Sequence, residues 1–358
     1  MLVIQVFVPK EVFIYPMKVN FILDMEKSLI GSGVYNSAVR LAKQLESFGI
    51  YTDINGKNPR YDIYHFHTAL PQSLLKAKIL NRRTNRKYKI IMTGHTTIED
   101  FRDSFLFSNR IDYALIPYLT KYYSYADYLV AVSDYNKTIL QRYGFDPTAI
   151  RVISNGIDLS TNRKNPIIRK NARRHLGLGE KVFLIISVGL CIYRKAPDVF
   201  TQTALLTPNH RFMWIGKYLP LGTIAHSPYL RNHFQKARVS SNIQFTGYIS
   251  KNTLEALWNA ADIFLYVSRE ENQGIALLES IAYGNIPVVR DHPVFNWLTG
   301  GEDCLKGRTP EDFSAHISNL ASNKSLQKSL VKQGTVTLRK HDMQNSISAL
   351  ADLYSELV

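Results

Sequence analysis

The apolar run Ile263 to Val267 passes directly into the polar loop SREENQG and then into IALLESIAYGNIPVV. That succession constrains the fold more than any other stretch of the chain. Five residues are too few for an independent helix and suit a buried parallel strand. Leu277, Leu278 and Ile281 then recur at helical spacing, Gly284 supplies a stop, and Pro287 stands where a helix cannot continue. Strand, loop and helix followed by a further apolar pair, Val288 and Val289, form a crossover unit, which belongs to α/β folds. Glu271 falls in the loop and Glu279 on the helix. Asn272, Gln273 and Gly274 place backbone N–H groups at the helix start, where an anion, above all a phosphate, is favoured. Two carboxylates beside an anion site suit a ligand with hydroxyls, such as a nucleotide sugar. The same pattern is equally compatible with a plain α/β turn carrying solvated glutamates.

The rest of the chain repeats the alternation. Val19 to Leu23 reads as a strand, and Gly31, Ser32 and Gly33 as a turn that opens a helix. That helix sets Val34, Ala38, Leu41, Ala42, Leu45 and Phe48 on one side and stops at Gly49. Further strands are expected at Ile63 to Phe66, Ile90 to Thr93, Leu129 to Val132 and Arg151 to Ile153. After Asn155 to Asp158 comes a polar, basic stretch to about Arg174, read as a linker. A second series of strands follows at Val182 to Val188, Phe212 to Ile215, Ile243 to Phe245, Ile263 to Val267 and Val288 to Val289. A chain of 358 residues is too long for one ordinary core. The expected architecture is α/β, two Rossmann-like parallel-sheet domains facing each other across a cleft, with their ligand-binding edges toward it. Boundaries are expected at 1–160, 161–340 and 341–358, the last a helix packing back on the first domain, with 1–16 an upstream extension.

His95 stands at the carboxyl end of the strand Ile90 to Thr93, where open α/β sheets bind ligands. His65 and His67 share a strand face; with no third ligand in view, packing or hydrogen bonding is preferred to metal. Cys191 and Cys304 have neither metal-ligand spacing nor a disulfide framework and suit a reducing cytoplasm. No apolar run is long enough to span a bilayer, and MLVIQVFV lacks the features of a signal peptide. The net charge of +15 calls for an acidic partner or surface.

Several motifs resemble those of the retaining glycosyltransferases of family 4, which have the GT-B fold. Asn155 to Asp158 resembles their PNGVD-type hinge, and EENQGIALLES resembles their E(x7)E signature, with Glu271 and Glu279 at the required spacing. The resemblance covers nearly the whole chain from Met17 onward. It implies that Glu271 binds the donor hexose, that Glu279 holds the ribose hydroxyls, and that Gly31 and Gly33 approach the diphosphate. It also places His95 near the transferred sugar and Tyr248 and Ile249 at the base. One departure matters. The stretch VGLCIYRKAPD puts Leu190 where the family usually has a phosphate-contacting arginine; Lys195 remains, and Arg194 is expected to compensate.

GHTTIEDFRDSF, RKAPDVF, EENQGIALLE and VVRDHPVFNWL are most similar to bacterial diacylglycerol glucosyltransferases and their glycolipid relatives. The residues themselves also point to a membrane. No acid lies between Asp62 and Glu99. A helix from Pro71 to Lys87 would turn Leu70, Leu74, Ala77 and Leu80 to the core and leave Leu75 and Ile79 bordered by Lys76, Lys78, Arg82, Arg83 and Arg86. A basic face with an apolar ridge suits an anionic bilayer, though it also describes a solvated helix face. The expectation is a peripheral cytoplasmic enzyme on the inner face of the membrane. It would transfer glucose from UDP-glucose to a diacylglycerol-type lipid with no metal or other cofactor. A cell-wall or capsule glycan is the rival acceptor. The basic clusters lack the interleaved stacking aromatics of a nucleic-acid binder, and intact Glu271, Glu279, His95 and Lys195 speak against a non-catalytic partner subunit.

Overall fold

The computed structural model describes residues 17–24, 33–57 and 60–358; Gly31 and the extension 1–16 lie outside these residues. Two six-stranded sheets organise the chain, and all their strand pairs are parallel. The first runs β2-β1-β3-β4-β5-β6, from β1 (Met17–Ile22), β2 (Ile50–Ile54), β3 (Ile63–Phe66), β4 (Lys89–Thr93), β5 (Tyr128–Ala131) and β6 (Ile150–Val152). The second runs β12-β11-β10-β7-β8-β9, from β7 (Leu184–Val188), β8 (Arg211–Ile215), β9 (Ile243–Phe245), β10 (Ile263–Tyr266), β11 (Ile286–Arg290) and β12 (Leu305–Gly307). This is the doubly wound arrangement of the GT-B fold. Helices cover both faces, so the inner strands read as continuous apolar runs: every residue of β3 and β10 is buried.

Two strands escaped the periodicity, and both sit near an edge. β2, IYTDI, is mostly half-buried and mixes polar with apolar residues. β12, LKG, has only three residues and finds its place by pairing with β11. Neither has the long apolar run that identifies a buried strand.

The expected linker is only partly a linker. Helix Pro166–His175 lies inside it, capped by the Asn165 side chain. Arg169 donates to the carbonyls of Asn259, Ala260 and Ala261, orphan acceptors at the end of helix Lys251–Ala260. Arg169 and Arg173 both pair with Asp262, which also accepts from the Leu184 backbone at 2.8 Å. The basic cluster there serves to fasten the second sheet.

The chain end returns to the first sheet. Helix Met343–Leu357 buries Ile347, Leu350, Leu353 and Tyr354 against Val19, Phe21, Ile63 and Ile91. Its first turn pins the run Asn155 to Asp158: Met343 N–H donates to Ile157 O at 3.0 Å. Gly156 has φ +67°, and a Cβ there would sit 2.9 Å from Met343 Cα, so glycine is required.

Candidate functional site at the cleft

β10 delivers the loop 268–274 to the sheet edge, where helix Ile275–Ala282 begins. Gly274 has φ +86°, and a Cβ there would lie 2.8 Å from the Tyr266 ring; the tight passage brings Tyr266 Oη within 2.7 Å of Glu271 Oε1. Lys195 Nζ bonds the same oxygen. Arg194 Nη1 stands 3.8 Å from the other carboxylate oxygen and 3.1 Å from Asp100 Oδ1. Burial would raise the Glu271 pKa, but Lys195 and Arg194 outweigh it and hold the carboxyl below its usual value. Glu271 is therefore a fixed anion with two cations on it.

The cations are held by residues that sequence reasoning passed over. Arg269 forks onto Asp198 at 2.9 and 2.6 Å, lies 3.8 Å over the Tyr193 ring, and donates its backbone N–H to Arg194 O at 2.7 Å. Those bonds fix the turn Tyr193–Lys195. Asp100 is the other omission. Burial pushes it up to about 6 against the pull of Arg194, with Glu271 adding to the rise. Its only signal in the sequence was a capping position after Thr97.

Asn272 and Gln273, expected at the ligand, spend their side chains on the first sheet. Asn272 donates to His95 O at 3.0 Å and to Asp100, and accepts from Thr97 and Asn136. Gln273 accepts from Asn155 at 2.6 Å and donates to Ser154 at 2.5 Å. The loop is thus a tie across the cleft. Gly33, at the start of helix Gly33–Leu45, would place a Cβ 3.5 Å from Ile275, so two helix starts meet there. Convergent helix N-termini favour an anion.

Glu279 is half-buried on its helix; burial raises its pKa, and Arg40 and Lys251 oppose the rise. Tyr248 is 78% exposed after Gly247, while Ile249 packs on the core of the second sheet. Leu190 is part-exposed where the resemblance expects arginine. Arg194 does not take over that position in this structure, because Asp100, Ser104, Glu271 and the Glu270 carbonyl occupy its guanidinium.

His95 lies across the cleft at the end of β4, its Nε2 3.4 Å from His67 Nδ1. Burial pushes His95 down to about 4. His65 is hydrogen-bonded through both nitrogens, to Tyr354 at 2.6 Å and Thr93 at 2.8 Å, and His67 stacks on Phe21. Bonds of this kind leave His65 no free lone pair for a metal. They also predict an acid sensitivity. Burial, and secondarily His95, holds His65 at about 3, whereas the unfolded chain takes its proton near 6.5. Stability from these neutral histidines is complete above about 6.5 and is lost as pH falls toward 4. Asp100 opposes this, since the fold binds its proton near 6, but two histidines shift further than one aspartate. The melting temperature is expected to drop by several degrees between pH 7 and pH 5 in a calorimetric series, on the order of 2–4 °C per kcal/mol. His65→Gln should flatten that slope.

Helix Pro71–Asn81 buries Ala77 and Leu80 and leaves Leu75 and Ile79 exposed at 58% and 50%. Lys78, Arg82 and Arg83 are exposed, Lys76 is half-buried, and burial lowers the Lys76 pKa. Arg86 departs from expectation: it pairs with Asp127 in a half-buried site. The helix ends before it, Asn85 taking a left-handed turn with φ 58° amid like charges that repel one another.

A family profile described as "Glycosyltransferase Family 4" matches residues 30–161, and one described as "Glycosyl transferases group 1" matches residues 168–337. The chain is 27% identical over 346 residues to a "Processive diacylglycerol alpha-glucosyltransferase" of Acholeplasma laidlawii, covering 96% of this chain and 99% of that one. It is 22% identical to an "Alpha-galactosylglucosyldiacylglycerol synthase" of Streptococcus pneumoniae, covering 95% and 90%. Among solved structures, Anabaena HepE in complex with UDP and glucose superimposes with a TM-score of 0.75 at 15% identity, covering 95% of this chain and 100% of that one. Sucrose-phosphate synthase of Thermosynechococcus elongatus gives 0.80 at 14% identity, covering 95% and 99%.

Proposed function

The chain belongs to the glycosyltransferases, a family 4 domain followed by a group 1 domain in a GT-B fold, and from that premise we propose that it moves glucose from UDP-glucose to a diacylglycerol-type membrane lipid with retention of configuration. The observation that carries this is the buried cluster of Glu271, Lys195 and Arg194, set where two helix starts meet and opposite His95. Its charges suit a donor with hydroxyls at one end and a diphosphate at the other.

In the reaction the bond between the anomeric carbon and the diphosphate oxygen breaks, positive charge builds on the sugar ring and negative charge on phosphate. Lys195 and the two helix starts oppose the leaving charge, and Glu271 holds the sugar hydroxyls. Among the described residues the carboxylates of the site, Glu271 and Asp100, are paired with Lys195 and Arg194, so in this reading the acceptor oxygen attacks from the face the diphosphate leaves, and the departing phosphate takes its proton. Neutral His95 orients distal hydroxyls of the hexose. Glu279 would meet the ribose and Tyr248 the base. No step of this scheme calls on a metal. The relatives named for diacylglycerol products support the lipid acceptor. Exposed Leu75 and Ile79 beside Lys78, Arg82 and Arg83 support a peripheral site on the anionic inner leaflet. At about 1 kcal/mol per surface cation, that helix contributes roughly 3 kcal/mol of attraction.

Purified enzyme incubated with phosphatidylglycerol vesicles containing diacylglycerol and a mixture of nucleotide sugars is expected to release UDP and form glucosyldiacylglycerol by mass spectrometry. No UDP and no glycolipid would overturn the reading, as would transfer to an added cell-wall or capsule glycan in preference to diacylglycerol.

A further inference from the structure

Between helix Ile98–Phe101 and helix Asp112–Tyr123 the chain forms a knuckle whose apolar side chains face water. Leu106 is 48% exposed, Phe107 58%, Ile111 46%, Tyr113 91% and Ile116 43%. Tyr113 stands on the outer face of the helix and Ile116 at the exposed start of the stripe that continues into Leu119, Tyr122 and Tyr123, which are buried in the core of the first sheet. The exposed apolar side chains thus gather in one short stretch, from Leu106 to Ile116. Phe107 even accepts a left-handed backbone, φ 63°, with its ring outward, a conformation a bulky residue rarely adopts.

The knuckle is firmly held. Asp103 and Asn109 exchange hydrogen bonds of 2.9 and 2.8 Å across its neck, and Ser104 and Ser108 are buried. The second sheet's side grips it as well: Leu106 N–H donates to Thr223 O at 3.0 Å, Phe105 bridges Ile224, and Asp103 meets His226 at 2.8 Å. Ser104 Oγ accepts from Arg194 Nε at 3.1 Å, and Arg194 in turn faces Glu271. The apolar surface therefore adjoins the sugar site.

We propose that this knuckle, Leu106 to Ile116, is a second membrane-contact element, which inserts into the bilayer at the mouth of the cleft and brings the lipid hydroxyl to the donor. The proposal rests on the lipid-acceptor reading above. The occupant follows from chemistry and position. Aromatic and aliphatic side chains accompanied by Arg110, 5.3 Å over the Phe107 ring, match the boundary between headgroups and acyl chains. Tyr118 and Tyr122, on the same helix, donate to Ala69 O and Thr68 O at 2.9 and 2.7 Å. Those bonds join the knuckle to the start of the basic helix Pro71–Asn81, whose exposed Lys78, Arg82 and Arg83 complement anionic headgroups. The basic helix would attract the surface over a Debye length, and the knuckle would enter it.

Full-length protein and the double variant Phe107→Ser/Ile116→Ser are compared by flotation with phosphatidylcholine and phosphatidylglycerol vesicles, without acceptor or UDP-glucose. The variant is expected to partition on the order of tenfold less at both low and high salt, because apolar insertion is not screened. Lys78→Glu/Arg82→Glu should weaken binding at low salt only. UDP titration and the melting curve of the double variant should match those of the parent. Equal partitioning of parent and variant would overturn the proposal. So would a parent dimer in size-exclusion chromatography that the variant dissociates, since the face would then belong to a second copy. Reduced partitioning in a protein that makes no glycolipid from any donor would leave the surface in place and remove only the acceptor reading.

Discussion

Glu271→Gln is expected to lower glucosyl transfer on the order of a thousandfold and to lower the melting temperature less than Glu271→Ala does. The carboxylate is the anion for both Lys195 and Arg194 and the acceptor for Tyr266 Oη. Glutamine keeps the volume and can still accept from Tyr266, but it removes the charge that holds sugar hydroxyls and balances the cations. Alanine would do more damage for a less instructive reason. It would leave two buried cations facing each other over a hole, and breaking a buried pair costs about 3–5 kcal/mol. The informative measurement is therefore kcat and KM of the glutamine variant beside its calorimetric melt. Unchanged turnover would remove Glu271 from the site.

Lys195→Ala is expected to reduce kcat by roughly a hundred- to a thousandfold, with a much smaller effect on UDP binding. In this chain the load on Lys195 is unusual. Leu190 stands where the family resemblance leads one to expect an arginine, and Arg194 is committed to Asp100, Ser104 and Glu271. Lys195, paired with Glu271 alone among the described carboxylates, is the cation we expect to turn toward charge that develops only as the diphosphate departs. A point charge gives less orientation than a fork, so Lys195→Arg should not fully restore the rate. If alanine changed KM and kcat in proportion, or neither, the lysine would be a structural partner of Glu271 and no more.

Strands buried on both faces were legible because burial selects continuous apolar runs; β3 and β10 fall where those runs stand. β2 and β12 were not, since a half-covered or very short edge strand carries no such run. The acids Glu271 and Glu279 were visible as a loop and a helix position. Asp100, Arg269 and Asp198 were not, because their roles arise from charges that come within reach only after folding.

The alternation of the inner strands with helices, the parallel sheets and the placement of Glu271 beside a helix start follow from the sequence alone, since each depends on local periodicity and on turn residues a few positions apart. Only the tertiary structure decided what each charge does. Arg86 belongs to Asp127, Arg169 and Arg173 to Asp262, and Arg194 to Asp100 and Glu271, over separations that no local pattern encodes. It also decided that Asn272 and Gln273 tie the two sheets together. The physical reason is the same in each case. A buried polar group must find a partner, and which partner is nearest is a property of the packed chain and not of its neighbours in sequence.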